Sequence, residues 1–224
     1  MLICFFLAAT TFYQNAAETL YPESKHRNSV KKSGAENNLG SGQSGLMWFA
    51  QVTDMHLSIF RDPKRAPELE RLCAWMQTVV KPPVVVASGD LTDAKTPDLV
   101  GSRQFVEEWN FYQKVVQTCL SGSNTVWLDI RGNHDTFDVI NEDANNNFFK
   151  THSAMGTKHR RSYSAKIEFA NQTFGFVGID ATLVPGPKRP FNFFGALHDE
   201  QYEEAKHLVS VFREPLPKGN ARYG

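Results

Sequence analysis

The sequence predicts an α/β domain built around a parallel β-sheet. Hydrophobic residues make up 41% of the 224-residue chain and charged residues 21%, which is typical of a globular domain of ordinary size. From residue 46 onward, short apolar runs alternate with longer segments whose apolar residues recur at helical spacing. A chain in which strands and helices alternate in this way folds into right-handed βαβ units with parallel strands.

The first strand and the first helix are predicted at the start of this alternation. An apolar run over Met47–Thr53 is typical of a buried strand. Over Pro67–Val80 the apolar side chains recur at helical spacing, which indicates a helix that packs one face on the sheet. We expect this helix to stop before Pro82, because proline cannot continue it.

Two further strands and one helix complete the predicted parallel sheet. Val84–Ser88 is a run of mostly β-branched residues, the mark of a strand that is covered on both faces. Ser102–Leu120 carries an apolar stripe that includes Trp109 and predicts the second helix. Thr125–Ile130 is the third strand, so strand, helix, strand, helix and strand follow one another.

After residue 160 the pattern changes to two adjacent strands and a final helix. Arg161–Phe169 and Thr173–Ile179 are predicted strands, joined by a short turn at 170–172. His198–Phe212 predicts a helix with a polar face. These elements belong to the same domain, which we place at residues 46–224.

Two segments of different character precede the domain. Residues 1–17 begin with a short apolar run that resembles the core of a secretory signal peptide, although the first basic residue is Lys25. The run is far shorter than the roughly 20 residues that span a bilayer, and a frayed N-terminus or a misassigned start is the alternative. Residues 18–45 are polar and are expected to form a flexible linker.

Two further signs bear on the cellular compartment. Cys73 and Cys119 either form a disulfide, as they would in an oxidising compartment, or remain buried free thiols in their predicted helices. Asn171 begins an N-glycosylation sequon, which has meaning only in a secreted chain. With the signal-like segment, these features predict the secretory pathway and a lumenal or extracellular location.

The net charge argues against nucleic acid as a partner. The chain has 24 Lys and Arg residues and 24 Asp and Glu residues, so its formal charge is zero. Proteins that bind nucleic acid hold the phosphate backbone with clustered basic side chains, and no such stripe is visible here. We therefore expect no nucleic-acid partner, and a nuclease function is disfavoured.

Each of the three predicted parallel strands ends in residues that can bind metal ions. Asp54 and His56 follow the first strand, where alternation along the strand would project both side chains the same way. Asp90 follows the second strand, and its two oxygens can bridge two ions; Asn133 follows the third and offers a neutral amide oxygen. Ligands bind at the carboxyl ends of strands in open α/β sheets, so the three motifs together favour one metal site over three unrelated turns.

In this order, the motifs Asp-x-His, Gly-Asp-x-x-Asp and Gly-Asn-His-Asp resemble those of the calcineurin-like metallophosphoesterase superfamily, over roughly residues 46–185. The resemblance implies an α/β fold of the metallophosphoesterase type, a two-sheet β-sandwich flanked by helices, with its C-terminal strands missing from this chain. It also implies a hydrolase of phosphate esters that uses a dinuclear metal centre and a bridging hydroxide.

The resemblance also implies which residues bind the cofactor, two divalent metal ions (Mn, Fe or Zn). By this resemblance, Asp54 and His56 hold the first ion. Asp90 bridges both ions, and Asn133 binds the second. The partner of such a site is a phosphate-ester substrate, whose in-line displacement two ions can stabilise.

Proton transfer is assigned in the same way. The resemblance implies that His134 is the catalytic proton donor to the leaving group and that Asp93 is the catalytic residue that orients it. Imidazole is the side chain best suited to proton transfer near neutral pH. We expect Asp135 to support the turn without binding metal.

The superfamily completes its metal centre with a lone His and a Gly-His-x-His motif, and neither is recognisable in this chain. We therefore expect the second metal site to be incomplete, one ion at most to bind well, and phosphatase activity to be weak or absent. The remaining histidines of the second half of the chain are expected to be structural: His152, His159, His198 and His207.

Two functions stay open. The leading hypothesis is a truncated, metal-dependent phosphoesterase domain, and the alternative is a catalytically inactive lumenal binding or interaction domain of a membrane protein. The residues around the three motifs resemble one group of the superfamily in particular, and in that group transmembrane helices follow the domain. Membrane association through a missing C-terminal region is therefore an expectation for the full-length protein.

Overall fold

A computed structural model describes the backbone of residues 2–7 and, in full, residues 47–98, 100–159, 161–170 and 172–212. The predicted linker at 18–45, most of the signal-like segment at 1–17 and Asn171 of the sequon lie outside the described residues. In the described part, six strands and four α-helices follow one another in the chain: β1 (Leu2–Leu7), β2 (Ala50–Val52), α1 (Arg65–Trp75), β3 (Val84–Ser88), α2 (Val106–Leu120), β4 (Val126–Ile130), α3 (Phe149–His152), β5 (Tyr163–Phe169), β6 (Gln172–Ile179) and α4 (Asp199–Ser210).

One sheet is parallel, as predicted. Its strand order is β2-β3-β4, with Val85 opposite Ala50 on one side and opposite Trp127 on the other. Every residue of β3 is buried, because neighbouring strands flank it and both faces of the sheet are covered. The carboxyl ends of all three strands therefore lie at one edge.

The second sheet has the order β1-β6-β5. β5 and β6 form an antiparallel hairpin, and β1 pairs with β6 in the parallel direction, with Phe5 opposite Val177. β1 lies inside the apolar segment that resembles a signal peptide, and the signal itself stays a prediction.

The two sheets pack face to face and form a sandwich. Val86 and Ile130 of the parallel sheet belong to the same buried apolar cluster as Tyr163, Phe174 and Phe176 of the second sheet. Side chains from two inner faces that meet in this way form the core of a β-sandwich. The predicted two-sheet α/β fold is confirmed.

Helices cover both outer faces of the sandwich. α1 and α2 pack on the parallel sheet, where Trp109 and Tyr112 are fully buried. α4 packs on the second sheet through Leu208 and Val209. No helix in the described ranges is both long enough and apolar enough to cross a bilayer.

A disulfide between Cys73 and Cys119 joins α1 to α2, and the Cα atoms of the two residues are 4.9 Å apart. Of the two states left open by the sequence, the structure contains the disulfide. Both residues are buried in the apolar cluster beneath the helices. By the loop-closure argument such a bond stabilises the fold by about 2–4 kcal/mol.

Some predicted boundaries are wrong. The first strand is limited to Ala50–Val52 instead of Met47–Thr53. The first helix begins at Arg65 instead of Pro67, but it continues beyond Trp75 as a π-helical turn that ends at Val80, as predicted. The predicted helix Ser102–Leu120 begins only at Val106, because Phe105 has an extended backbone. Apolar spacing indicates where a helix lies, but it does not fix the residue at which the helix begins.

Candidate metal centre

Three loops, one after each strand of the parallel sheet, meet at its carboxyl edge. The main-chain N–H of Asp54 donates to the carbonyl oxygen of Gly89 at 3.2 Å. The N–H of His56 donates to the carbonyl oxygen of Asp90 at 2.8 Å. The N–H of His134 donates to Oδ1 of Asp90 at 3.1 Å, which joins the third loop to the second. The three sequence motifs therefore lie at one place.

Three of the predicted metal ligands have a left-handed backbone. The φ angle is 53° at Asp54, 44° at His56 and 49° at Asp90. Non-glycine residues rarely adopt this conformation, and it persists only where the surrounding structure enforces it. β2 ends at Val52, so the prediction that strand alternation aligns Asp54 with His56 is wrong. The loop conformation brings the two side chains together instead.

Two of the predicted metal ligands, His56 and Asp90, converge with His134, the predicted proton donor. His56, Asp90 and His134 each place one potential ligand atom within 4.8 Å of the other two. Nε2 of His56 lies 3.6 Å from Oδ2 of Asp90 and 3.7 Å from Oδ1 of Asp54. The imidazole of His56, together with the hydroxyl of Thr53, holds the pKa of Asp54 below its ordinary value although burial raises it. Asp54 is therefore a carboxylate at neutral pH.

The residues present fit a divalent cation. At this centre, Oδ2 of Asp90 and Oδ1 of Asn133 are buried and have no hydrogen-bond partner among the described residues. Burial, together with the nearby carboxylate of Asp135, raises the pKa of Asp90 to about 7. A cation at this place would satisfy these atoms and offset the cost of the buried charge. Carboxylate, imidazole and amide oxygen are a ligand set that suits Mn, Fe or Zn.

His134 contacts Asp93 through the main chain. Nδ1 of His134 lies 2.6 Å from the carbonyl oxygen of Asp93, whereas the Asp93 carboxylate is 3.7 Å away. A carbonyl oxygen only accepts hydrogen bonds, so Nδ1 carries the hydrogen and Nε2 is free to exchange a proton. Oδ1 of Asp93 lies closer to Nζ of Lys95, at 3.1 Å, and to Nδ1 of His56, at 3.6 Å.

The surroundings of His134 favour its neutral form. Burial lowers the pKa of its ring well below the ordinary value, and the charges of His56 and Lys95 lower it further. Near pH 7 and without an anionic ligand, the ring is therefore neutral. It can accept a proton or bind an ion.

Asp135 joins the second and third loops from beneath. Its fully buried carboxylate accepts hydrogen bonds from the main-chain N–H groups of Leu91, Thr92 and Gly132. These bonds support the turn, as expected for this residue.

Sequence reasoning missed Glu108, which holds the first and second loops together. Its carboxylate accepts the N–H of Ile59 at 3.1 Å and the N–H of Ala94 at 2.9 Å. Burial raises the pKa of Glu108 to about 7. A signal was present in the sequence, because Glu108 falls at helical spacing on the same stripe as Phe105 and Tyr112.

The later histidines do not join this centre. Nε2 of His152 lies 3.1 Å from Oδ1 of Asn110, and the ring of His159 stacks on Tyr163. His207 is exposed on α4. In the described ranges, the group of potential metal ligands around Asp90 contains none of them.

Comparison with known proteins gives the family. The chain is 41% identical over 165 residues to transmembrane protein 62 of Mus musculus. The aligned region makes up 74% of this chain and 25% of that protein. It is 33% identical over 160 residues to a protein of Arabidopsis thaliana provisionally named as a metallophosphoesterase. Here the aligned region makes up 69% of this chain and 21% of the relative. The chain thus spans a quarter or less of the length of these relatives. Residues 47–221 match the family described as calcineurin-like phosphoesterase. With the three motifs at one sheet edge, this match shows that the chain belongs to the calcineurin-like phosphoesterase family.

Proposed function

We propose that the chain is the metal-binding part of a phosphoester hydrolase with a dinuclear centre. One observation carries the proposal: His56, Asp90 and His134 converge within 4.8 Å at the carboxyl edge of the parallel sheet. Membership of the calcineurin-like phosphoesterase family supports metal-dependent hydrolysis of phosphate esters as the reaction class.

In this proposal Asp54, His56 and Asp90 hold one divalent ion. Asp90 and Asn133 hold a second ion more weakly, because fewer protein groups contribute to it. Oδ2 of Asp90 and Oδ1 of Asn133 support these assignments, because both are buried without a hydrogen-bond partner in the described part of the chain. When bound, the two ions supply a nucleophile from water at neutral pH and stabilise negative charge on the phosphoryl group.

His134 acts as the proton donor once substrate is present. Burial lowers the pKa of the His134 ring. The negative charge of a bound phosphate ester raises this pKa again, so the ring becomes protonated. Nε2 then donates to the leaving-group oxygen, while Nδ1 stays on the carbonyl oxygen of Asp93 and fixes the ring orientation. The Asp93 carboxylate, 3.7 Å away, adds negative charge that stabilises the protonated ring.

We place the domain in the lumen of the secretory pathway or outside the cell. The disulfide between Cys73 and Cys119 supports this, because such bonds form in oxidising compartments. The name of the mouse relative supports membrane association of the full-length protein. Protease protection in intact microsomes tests the location, and digestion from the cytosolic side would contradict it.

Metal binding and hydrolysis by the 224-residue chain test the proposed function. Titration calorimetry with Mn²⁺ should show one ion held well per chain, and Asp90→Asn should weaken its binding. Turnover of p-nitrophenyl phosphate or its bis-ester should be weak but measurable, and lost in both Asp90→Asn and His134→Asn. The control is His207→Ala, because that side chain is exposed on α4, and it should leave both readouts unchanged.

Each alternative predicts a different result. Turnover that survives in Asp90→Asn and His134→Asn would show that the reaction occurs elsewhere. Stoichiometric retention of two ions would contradict the incomplete second site. Metal binding without turnover would favour the alternative, a catalytically inactive binding or interaction domain.

A further inference from the structure

Asn133 and Asn192 form a reciprocal pair of buried amides. Asn192 lies in the loop between β6 and α4, and its exposed fraction is 0%, against 7% for Asn133. Nδ2 of Asn133 donates to the main-chain oxygen of Asn192 at 2.6 Å. Nδ2 of Asn192 donates in return to the main-chain oxygen of Asn133 at 3.1 Å. The loop after β6 therefore reaches the centre formed by the parallel sheet.

This contact fixes which way the Asn133 amide points. A carbonyl oxygen can only accept, so the amide nitrogen of Asn133 must face the carbonyl of Asn192. Turning the amide over would place two oxygens 2.6 Å apart without a hydrogen between them. The amide oxygen of Asn133 consequently faces away from Asn192, and it is buried without a hydrogen-bond partner among the described residues.

The side chain of Asn192 holds the main-chain oxygen of the same residue where it accepts the hydrogen bond from Nδ2 of Asn133. Besides the bond to the Asn133 carbonyl, Nδ2 of Asn192 donates to Oγ1 of Thr136 at 3.2 Å. The Thr136 hydroxyl donates in turn to the same Asn133 carbonyl at 3.0 Å. Three polar groups thus lock the loop against the turn that carries Asn133.

We propose that Asn192 is a positioning residue for metal binding: it orients the Asn133 amide so that the amide oxygen is presented as a ligand. The inference rests on the proposed function, in which Asn133 binds an ion. A residue that orients a metal ligand without touching the metal typically contributes about 10–100-fold to metal affinity. Asn192 extends the centre to the loop of the second sheet.

A double-mutant cycle with Mn²⁺ as the probe tests this role. Asn133→Ala first identifies the Mn²⁺-binding step that depends on the Asn133 amide. Asn192→Ala should weaken that same step by about tenfold or more. In an Asn133→Ala background, Asn192→Ala should cause no further loss, because no amide is left to orient.

Asn147→Ala is the matched control. Asn147 is equally buried, its Nδ2 donates to the main-chain oxygen of Glu142 at 2.8 Å, and its Oδ1 has no partner among the described residues. Its replacement should lower the melting temperature about as much as Asn192→Ala while leaving Mn²⁺ affinity unchanged. If Asn192→Ala does not fold, Asn192→Asp keeps the side-chain volume but removes both donors.

The outcomes separate this inference from the proposed function. If Asn133→Ala weakens no Mn²⁺-binding step, Asn133 is not a ligand and its role in the proposed centre fails. If Asn133→Ala weakens a step and Asn192→Ala does not, the positioning role is overturned and the proposed centre stands. The positioning role would also be overturned if Asn192→Ala reduced Mn²⁺ affinity by the same factor with and without the Asn133 amide. Two independent structural effects on Mn²⁺ affinity add in this way.

Discussion

Gly132 shows how closely two of the metal-bearing loops approach each other. A Cβ at this position would lie 2.2 Å from Oδ1 of Asp90 and 2.4 Å from its main-chain nitrogen. Both atoms belong to a buried residue whose backbone is itself left-handed, so neither can move without disturbing the loop. Only glycine leaves Asp90 in place.

We predict that Gly132→Ala reduces Mn²⁺ affinity by at least about tenfold, because the added methyl group displaces Asp90 from the centre. It should also destabilise the fold by about 1–3 kcal/mol through overpacking. Calorimetric titration and urea unfolding measure the two effects. Gly122→Ala is the control: φ is +69° and the new Cβ meets nothing within 4 Å, so it strains the backbone without touching the site. Unchanged Mn²⁺ affinity in Gly132→Ala would contradict the prediction.

At this scale the sequence predicts which residues meet but not how they meet. Asp54, His56 and Asp90 are recognisable because their residue types and order are specific. Their left-handed backbones follow from contacts between loops, which no local pattern encodes. The same holds for Asn192, whose partner is 59 residues away in the chain.

A buried ion pair joins the ends of β4 and β6, and hence the two sheets. Nε of Arg131 lies 2.5 Å from Oδ2 of Asp180, and both side chains are fully buried. Arg161 lies 3.4 Å from the same oxygen. Burial raises the pKa of Asp180, but the charges of Arg131 and Arg161 outweigh it and hold the pKa below its ordinary value.

We predict that Asp180→Asn destabilises the domain by about 3–5 kcal/mol at pH 7, because Arg131 is left buried without a counter-charge. The folded-state pKa of Asp180 is lowered, so the unfolded chain binds more protons and stability rises with pH in this window. The contribution is complete above the ordinary aspartate pKa and is lost as pH falls through the folded value. Urea unfolding at pH 7 and near pH 3 should therefore show a gap between wild type and variant that shrinks in acid. A gap of constant size would contradict this; exposed Asp199→Asn is the control.

Elements were predictable where burial alone decides them. Val84–Ser88 was predicted with its observed bounds, because a buried parallel strand needs continuous β-branched and small residues. The start of α2 was not, because Gln104 is held by contacts distant in the chain. Its amide donates to the carbonyl oxygens of His134 and Phe137, which keeps the preceding residues out of the helix.

The centre lies where loops of one sheet meet a loop of the other, so ion binding should stabilise the molecule as a whole. We predict that Mn²⁺ at about 100 times its dissociation constant adds about 2.7 kcal/mol to the free energy of unfolding. For a domain of this size the melting temperature should rise by about 5–10 °C. Differential scanning calorimetry with Mn²⁺ and then with excess EDTA measures the gain and its reversal. An equal rise in Asp90→Asn would mean that the ions bind elsewhere.

The sandwich as a whole was predicted through the resemblance of three short motifs, and the alternation of elements alone gave only a parallel sheet. The second sheet includes β1, which lies far from the motifs in the chain and whose apolar residues read equally well as a leader segment. An apolar run indicates a strand but not the strand with which it pairs. Pairing between segments that are distant in the chain is therefore visible only in the folded structure.

The cystine between Cys73 and Cys119, which are 46 positions apart in the sequence, closes residues 73–119 into a covalent ring that contains β3, Asp90 and Asp93. One backbone cut inside this ring does not release a fragment, because both pieces stay tethered through sulfur. The second motif, at residues 89–93, thus stays covalently connected to α1 and α2 even in a nicked molecule. Reduction of the disulfide would break this connection.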